Sequence, residues 1–100
     1  MVRHVILWKI KEEKSAEEKE QIKLNVKKGL EGLAGQIPGL VEMKVQAESL
    51  ASSTADVMLD STFTDEAALK AYAVHPAHVE VANTYVRPFT EVRMCIDYKE

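Results

Sequence analysis

Two of the chain's three histidines, His75 and His78, flank Pro76 in the stretch Tyr72-Ala73-Val74-His75-Pro76-Ala77-His78-Val79. A histidine near its ordinary pKa is the natural proton acceptor at neutral pH, and a phenol hydroxyl beside it can orient a substrate oxygen. Proline disfavours the α conformation of the residue before it and fits the first position of a new helix. The stretch therefore reads as helix, corner, helix. His75 is expected to be the corner residue, its side chain bonded to local backbone. His78 falls in the first turn of the following segment, where the positive end of the helix dipole favours a neutral imidazole, a competent base. Tyr72 lies one turn before the corner. The third histidine, His4, sits among the apolar residues of the first strand and is the remaining acid–base candidate.

Other chemistries lack their residues. A zinc site needs three or four ligands, and the single cysteine, Cys95, has no partner at metal-binding spacing, so no metal is expected. There is no glycine-rich phosphate loop, no Gly-x-Ser-x-Gly elbow and no dinucleotide fingerprint, so no cofactor is expected either. Asp60 is expected to be solvated or salt-bridged.

The elements that must position these groups follow from periodicity. Val2 to Lys11 is a strand with Val5 and Leu7 on one face and His4, Ile6, Trp8 and Ile10 on the other, which predicts that both faces are covered. Ser15-Ala16-Glu17-Glu18 matches a capping box. The helix behind it carries the apolar stripe Ile22, Val26, Leu30, Leu33 and Ile37, with its lysines and glutamates on a solvated face. Val41, Met43, Val45 and Ala47 alternate with polar residues, the pattern of a strand near a sheet edge. A third strand spans Asp56 to Phe63. Thr64 or Asp65 caps a second helix with Leu69, Tyr72 and Ala73 inward, continuing past Pro76 to about Val86. From Glu91 to Tyr98, Val92, Met94, Ile96 and Tyr98 alternate with Glu91, Arg93, Cys95 and Asp97.

The order β-α-β-β-α-β is that of an α+β, ferredoxin-like plait with a four-stranded antiparallel sheet. Two helices can cover one face of such a sheet. The economical cover for the other is a second copy of the chain, sheet against sheet, so a homodimer is expected. One hundred residues make a single domain, residues 1–100. A net charge of −3 provides no basic footprint for nucleic acid or an acidic membrane. No run approaches a membrane span and no secretory signal is evident, so with one cysteine a cytoplasmic location is expected.

Val2-Arg3-His4-Val5-Ile6-Leu7, Ile37-Pro38-Gly39-Leu40, Asp60-Ser61-Thr62-Phe63, the Tyr72–Val79 stretch and the ending Ile96-Asp97-Tyr98 together resemble the stress-responsive dimeric α+β barrel (Dabb) family. The resemblance covers nearly the whole chain and implies a barrel formed by the sheets of two protomers. Plant heat-stable proteins belong to that family, as does a plant olivetolic acid cyclase, which closes a polyketide by aldol condensation. Its base and supporting tyrosine and histidine correspond to His78, Tyr72 and His4. A second pocket tyrosine and a further histidine fall at Val26 and Val57, implying a more apolar pocket. The expected function is cofactor-free proton abstraction from a small carbonyl or phenolic compound. His78 would be the base, Tyr72 would hold His78 or the substrate oxygen, and His4 would donate to the developing oxyanion. The alternatives are a non-catalytic stress-response or ligand-binding dimer and, from fold analogy, a monooxygenase or haem-degrading protein.

Overall fold

The computed structural model describes residues 1–100. In chain order the elements are β1 (Val2–Ile10), α1 (Ala16–Glu31), β2 (Leu40–Gln46), β3 (Val57–Phe63), α2 (Glu66–Val74), α3 (Pro76–Val81) and β4 (Thr90–Lys99). A π-helical turn, Ala82–Val86, and a 3-10 turn, Arg87–Phe89, join α3 to β4. All neighbouring strands are antiparallel, in the order β2-β3-β1-β4. This is the ferredoxin-like plait.

Local signals account for most of the elements. Ser15 and Glu18 close the capping box on α1, each accepting from the other's backbone N–H. The helix ends at Gly32, and the buried stripe Ile22, Val26 and Leu30 is continued by Leu33 and Ile37 from the turns beyond it. Not all of its charged residues are solvated, as the sequence implied. Lys27 Nζ donates to the Val45 carbonyl at 2.9 Å, and Glu31 accepts the Val45 N–H at 3.0 Å. Two backbone groups of the edge strand β2 are satisfied in this way, which blunts that edge against stray pairing. Gly39 turns the chain into β2 with φ +82°, and a Cβ there would stand 2.5 Å from that of Ala68. Glycine is required on both counts.

Val41 does not point inward. The β2–β3 register shifts between Leu40 and Glu42, and this bulge turns Val41 out to solvent while Met43 and Val45 stay buried. On α2, Tyr72 is buried, Leu69 is half-buried and Ala73 is exposed at the lip of a cavity, so of the three expected inward residues Ala73 leaves the core.

Both helical layers lie on one side of the sheet. There Ile6, Trp8 and Ile10 of β1 pack with Val57, Leu59 and Phe63 of β3 and with the α1 stripe. The other face stays open in one protomer: Leu7 is 40% exposed, Met94 67% and Ile96 61%. Asp60 lies on this open face, paired with Arg3. The alternation on β4 is oriented the opposite way from an ordinary amphipathic strand. Directly paired residues share a face, and the pairs His4–Asp97, Ile6–Cys95 and Trp8–Arg93 place the polar set of β4 toward the helices.

Candidate functional site

The corner between α2 and α3 is built by its own side chains. Asp65 accepts the Ala68 N–H and starts α2. His75 takes extended dihedrals before Pro76, its N–H donates to the Tyr72 carbonyl, and its Nδ1 accepts the Ala77 N–H at 3.1 Å. The ring is occupied as the cap of α3 and lies outside the cavity wall, which is the corner role its position before proline implied.

α2 and α3 are short and bent, and they leave the helix-facing side of β4 uncovered. The gap is a cavity of about 720 Å³ between β1, β4 and the two helices. A volume of this order holds a small organic molecule. Ile6, Trp8 and Leu59 line it from the sheet. His4, Tyr72 and His78 all belong to its wall, so three groups from two distant segments reach one space.

His78 packs its ring on Tyr72, centroids 4.1 Å apart and planes 33° from parallel. Its Nδ1 lies 3.3 Å from the Ala73 carbonyl, which can only accept, so Nδ1 carries the proton and Nε2 the lone pair. Burial lowers the His78 pKa from its ordinary value. The charges of Arg87, His4 and Arg93 act in the same direction, against the raising effect of the Ala73 carbonyl. The neutral form expected from helix position is thus favoured chiefly by desolvation.

Tyr72 is 2% exposed, and its hydroxyl is buried with no hydrogen-bond partner. Burial holds the phenol un-ionised far into the alkaline range. Tyr72 therefore supports His78 by ring packing, and its hydroxyl is uncommitted. On its other side the ring meets Phe63 at 4.9 Å and the edge of His4 at 6.1 Å.

His4 brings a partner that the sequence reading missed. Its Nδ1 lies 2.5 Å from Asp97 Oδ1, directly across the β1–β4 pairing. Ser61, fully buried, donates from Oγ to the His4 carbonyl at 2.7 Å and fixes the strand there. A carboxylate on Nδ1 sets the tautomer and stabilises the imidazolium when it forms. Cys95 completes the cluster, with Sγ 3.7 Å from His4 Nδ1 and 3.5 Å from Asp97 Oδ1. Burial, followed by the Asp97 charge, raises the Cys95 pKa, so the group is a thiol rather than a nucleophilic thiolate.

His4, Cys95 and Asp97 are also the one trio able to offer three donor atoms to a metal. Two ligands of a tetrahedral zinc ion sit roughly 3.3 Å apart, so the 2.5 Å contact of His4 and Asp97 is hydrogen-bond spacing and would have to open. The signal for Asp97, Cys95 and Arg93 in the sequence was their shared parity on β4. It acquires meaning only once β4 is paired with β1. Val26 and Val57, which the resemblance placed at pocket positions, are fully buried in the core and line no part of the cavity.

The family model for the stress responsive A/B barrel domain matches residues 2–100. The chain belongs to this family. Among solved structures, a dimeric protein of unknown function with a ferredoxin-like fold from Bacteroides fragilis superposes with a TM-score of 0.93 at 28% identity, covering 99% of this chain and 95% of that one. A protein from Arabidopsis thaliana matches with a TM-score of 0.77 at 28% identity over 100% of this chain and 95% of its own. A hydroxynitrile lyase from Passiflora edulis matches at 20% identity and a TM-score of 0.70, over 97% and 90% of the two chains, a likeness of fold alone. No curated protein matches the chain. No helix is long and apolar enough to cross a membrane.

Proposed function

We propose that this A/B barrel domain works as a homodimer, joined through its open sheet face, whose cavity performs cofactor-free acid–base chemistry on a small carbonyl compound. The observation that carries the chemistry is the convergence of the His78–Tyr72 stack and the His4–Asp97 pair on one largely apolar cavity. His78 Nε2 takes the proton from a carbon α to the carbonyl, and the C–H electron pair moves onto the carbonyl oxygen as an enolate. The Tyr72 hydroxyl, which has no protein partner, donates to that oxygen. His4, oriented by Asp97 at Nδ1, is the second donor. Leu7, Met94 and Ile96 on the open face, together with the dimeric Bacteroides fragilis structure of the same fold, support the pairing of protomers. A reduced thiol at Cys95 suits a cytoplasmic setting.

The test is deuterium incorporation into phenylacetone in D2O, followed by proton NMR. Wild-type protein exchanges the α-protons faster than buffer does, and His78→Gln lowers that rate by roughly 10²-fold, the usual contribution of a general base. Exchange that survives in His78→Gln would remove His78 as the base. Binding of phenylacetone with no exchange above buffer would make the protein a ligand-binding dimer without turnover.

A further inference from the structure

Besides its acid–base groups, the cavity wall carries Lys70, Arg87, Arg93 and Lys99 against two carboxylates, Glu66 and Asp97. Both carboxylates are committed. Asp97 holds His4, and Glu66 lies 3.7 Å from Lys99. Arg93 makes no ion pair, its side-chain contact is with the neutral Cys95 thiol, and the guanidinium of Arg87 contacts another neutral group, Asn83 Oδ1, at 2.6 Å.

The two arginines come from different elements. Arg93 projects from β4, directly across from Trp8 and on the same face as Cys95 and Asp97. Arg87 follows the π-helical turn, whose Ala82 and Val86 are buried at the back of the cavity. Exposed arginines without partners are common on protein surfaces. Here two arginines line one concave site that has Ile6, Trp8 and Leu59 on its sheet side and also contains a buried, unpartnered hydroxyl. Arg93 is exposed at the rim, and its positive charge acts on Tyr72, His78 and Cys95 alike.

We infer that the cavity selects an organic acid: an apolar body lies against Trp8 and Ile6, and its carboxylate is bound by Arg93 with Arg87 beside it. A guanidinium presents paired N–H donors in a planar fork that matches a carboxylate. The inference rests on the cavity being a ligand site, as proposed above, and is independent of whether turnover follows.

The test compares 3-benzoylpropionate with its primary amide, matched in shape and differing in charge, by NMR titration of wild-type protein and of Arg93→Gln. The acid is expected to bind the wild type about tenfold more tightly than the amide, the effect of one charge-assisted contact. Arg93→Gln should bring the acid to the level of the amide and leave amide binding unchanged, which also shows that the variant is folded. Equal affinity of acid and amide for the wild type overturns the inference while the ligand site stands. Undiminished acid binding in Arg93→Gln overturns it equally. If neither compound binds, the cavity is not a ligand site and the inference falls with that reading.

Discussion

Replacing Tyr72 with phenylalanine removes one oxygen and leaves the ring. The contacts with Phe63 at 4.9 Å and His78 at 4.1 Å survive, so the core loses no volume. The oxygen removed is buried and bonded to nothing in the free protein. A buried polar group without a partner costs about 1–3 kcal/mol, so Tyr72→Phe should stabilise the free protein by about 1 kcal/mol. In a domain of this size that raises Tm by about 4–8 °C. The same oxygen is the proposed donor to the enolate, and loss of such a donor lowers a rate by roughly 10²-fold. Thermal melts at one fixed protein concentration, needed because a dimer's Tm depends on it, together with phenylacetone exchange would measure both effects on one variant. Opposite signs are expected: more stable and less active. A fall in Tm of comparable size would mean that the hydroxyl is hydrogen-bonded in the native state. An unchanged exchange rate would reduce Tyr72 to a packing ring. Either result refutes the reasoning.

Three further outcomes are expected. Burial lowers the His78 pKa below its unfolded value, so the unfolded chain takes up the proton first as pH falls. The stability that wild type holds relative to His78→Gln should therefore be present above about pH 6.5 and shrink below it, and urea melts of both proteins at several pH values would measure this. A difference that stays flat with pH would refute the depressed pKa. Leu7→Glu with Ile96→Glu places charges on the open sheet face and should convert the proposed dimer to monomer by light scattering, whereas a dimer of unchanged stability would place the interface elsewhere. Gly39→Ala should destabilise by about 2 kcal/mol, from the positive φ and the 2.5 Å approach to Ala68, read as a lower urea midpoint.

The sequence by itself determined whatever local physics sets. The Ser15–Glu18 cap, the Ile22–Val26–Leu30 stripe, the Asp65 cap and the His75–Pro76 corner all depend on residues a few positions apart, and each stands where periodicity and capping chemistry put it. The same reading singled out His4, Tyr72 and His78, because histidine is the side chain whose ordinary pKa lies nearest neutrality and Tyr72 stands one turn from the two at the corner. Val41 marks where local pattern fails: a bulge against β3 reverses its direction, and nothing in the alternation announces that. The partners of the site were the tertiary structure's to decide. Asp97 reaches His4, and Cys95 and Arg93 join that face, through a β1–β4 register that pairs the two ends of the chain. Alternation on β4 separates its polar from its apolar set but does not say which set meets the helices. That choice follows from packing: the open face of β1 demands an apolar neighbour, and Met94 and Ile96 supply it. The polar set is thereby turned inward, and the gap left by two short helices becomes a charged cavity instead of core.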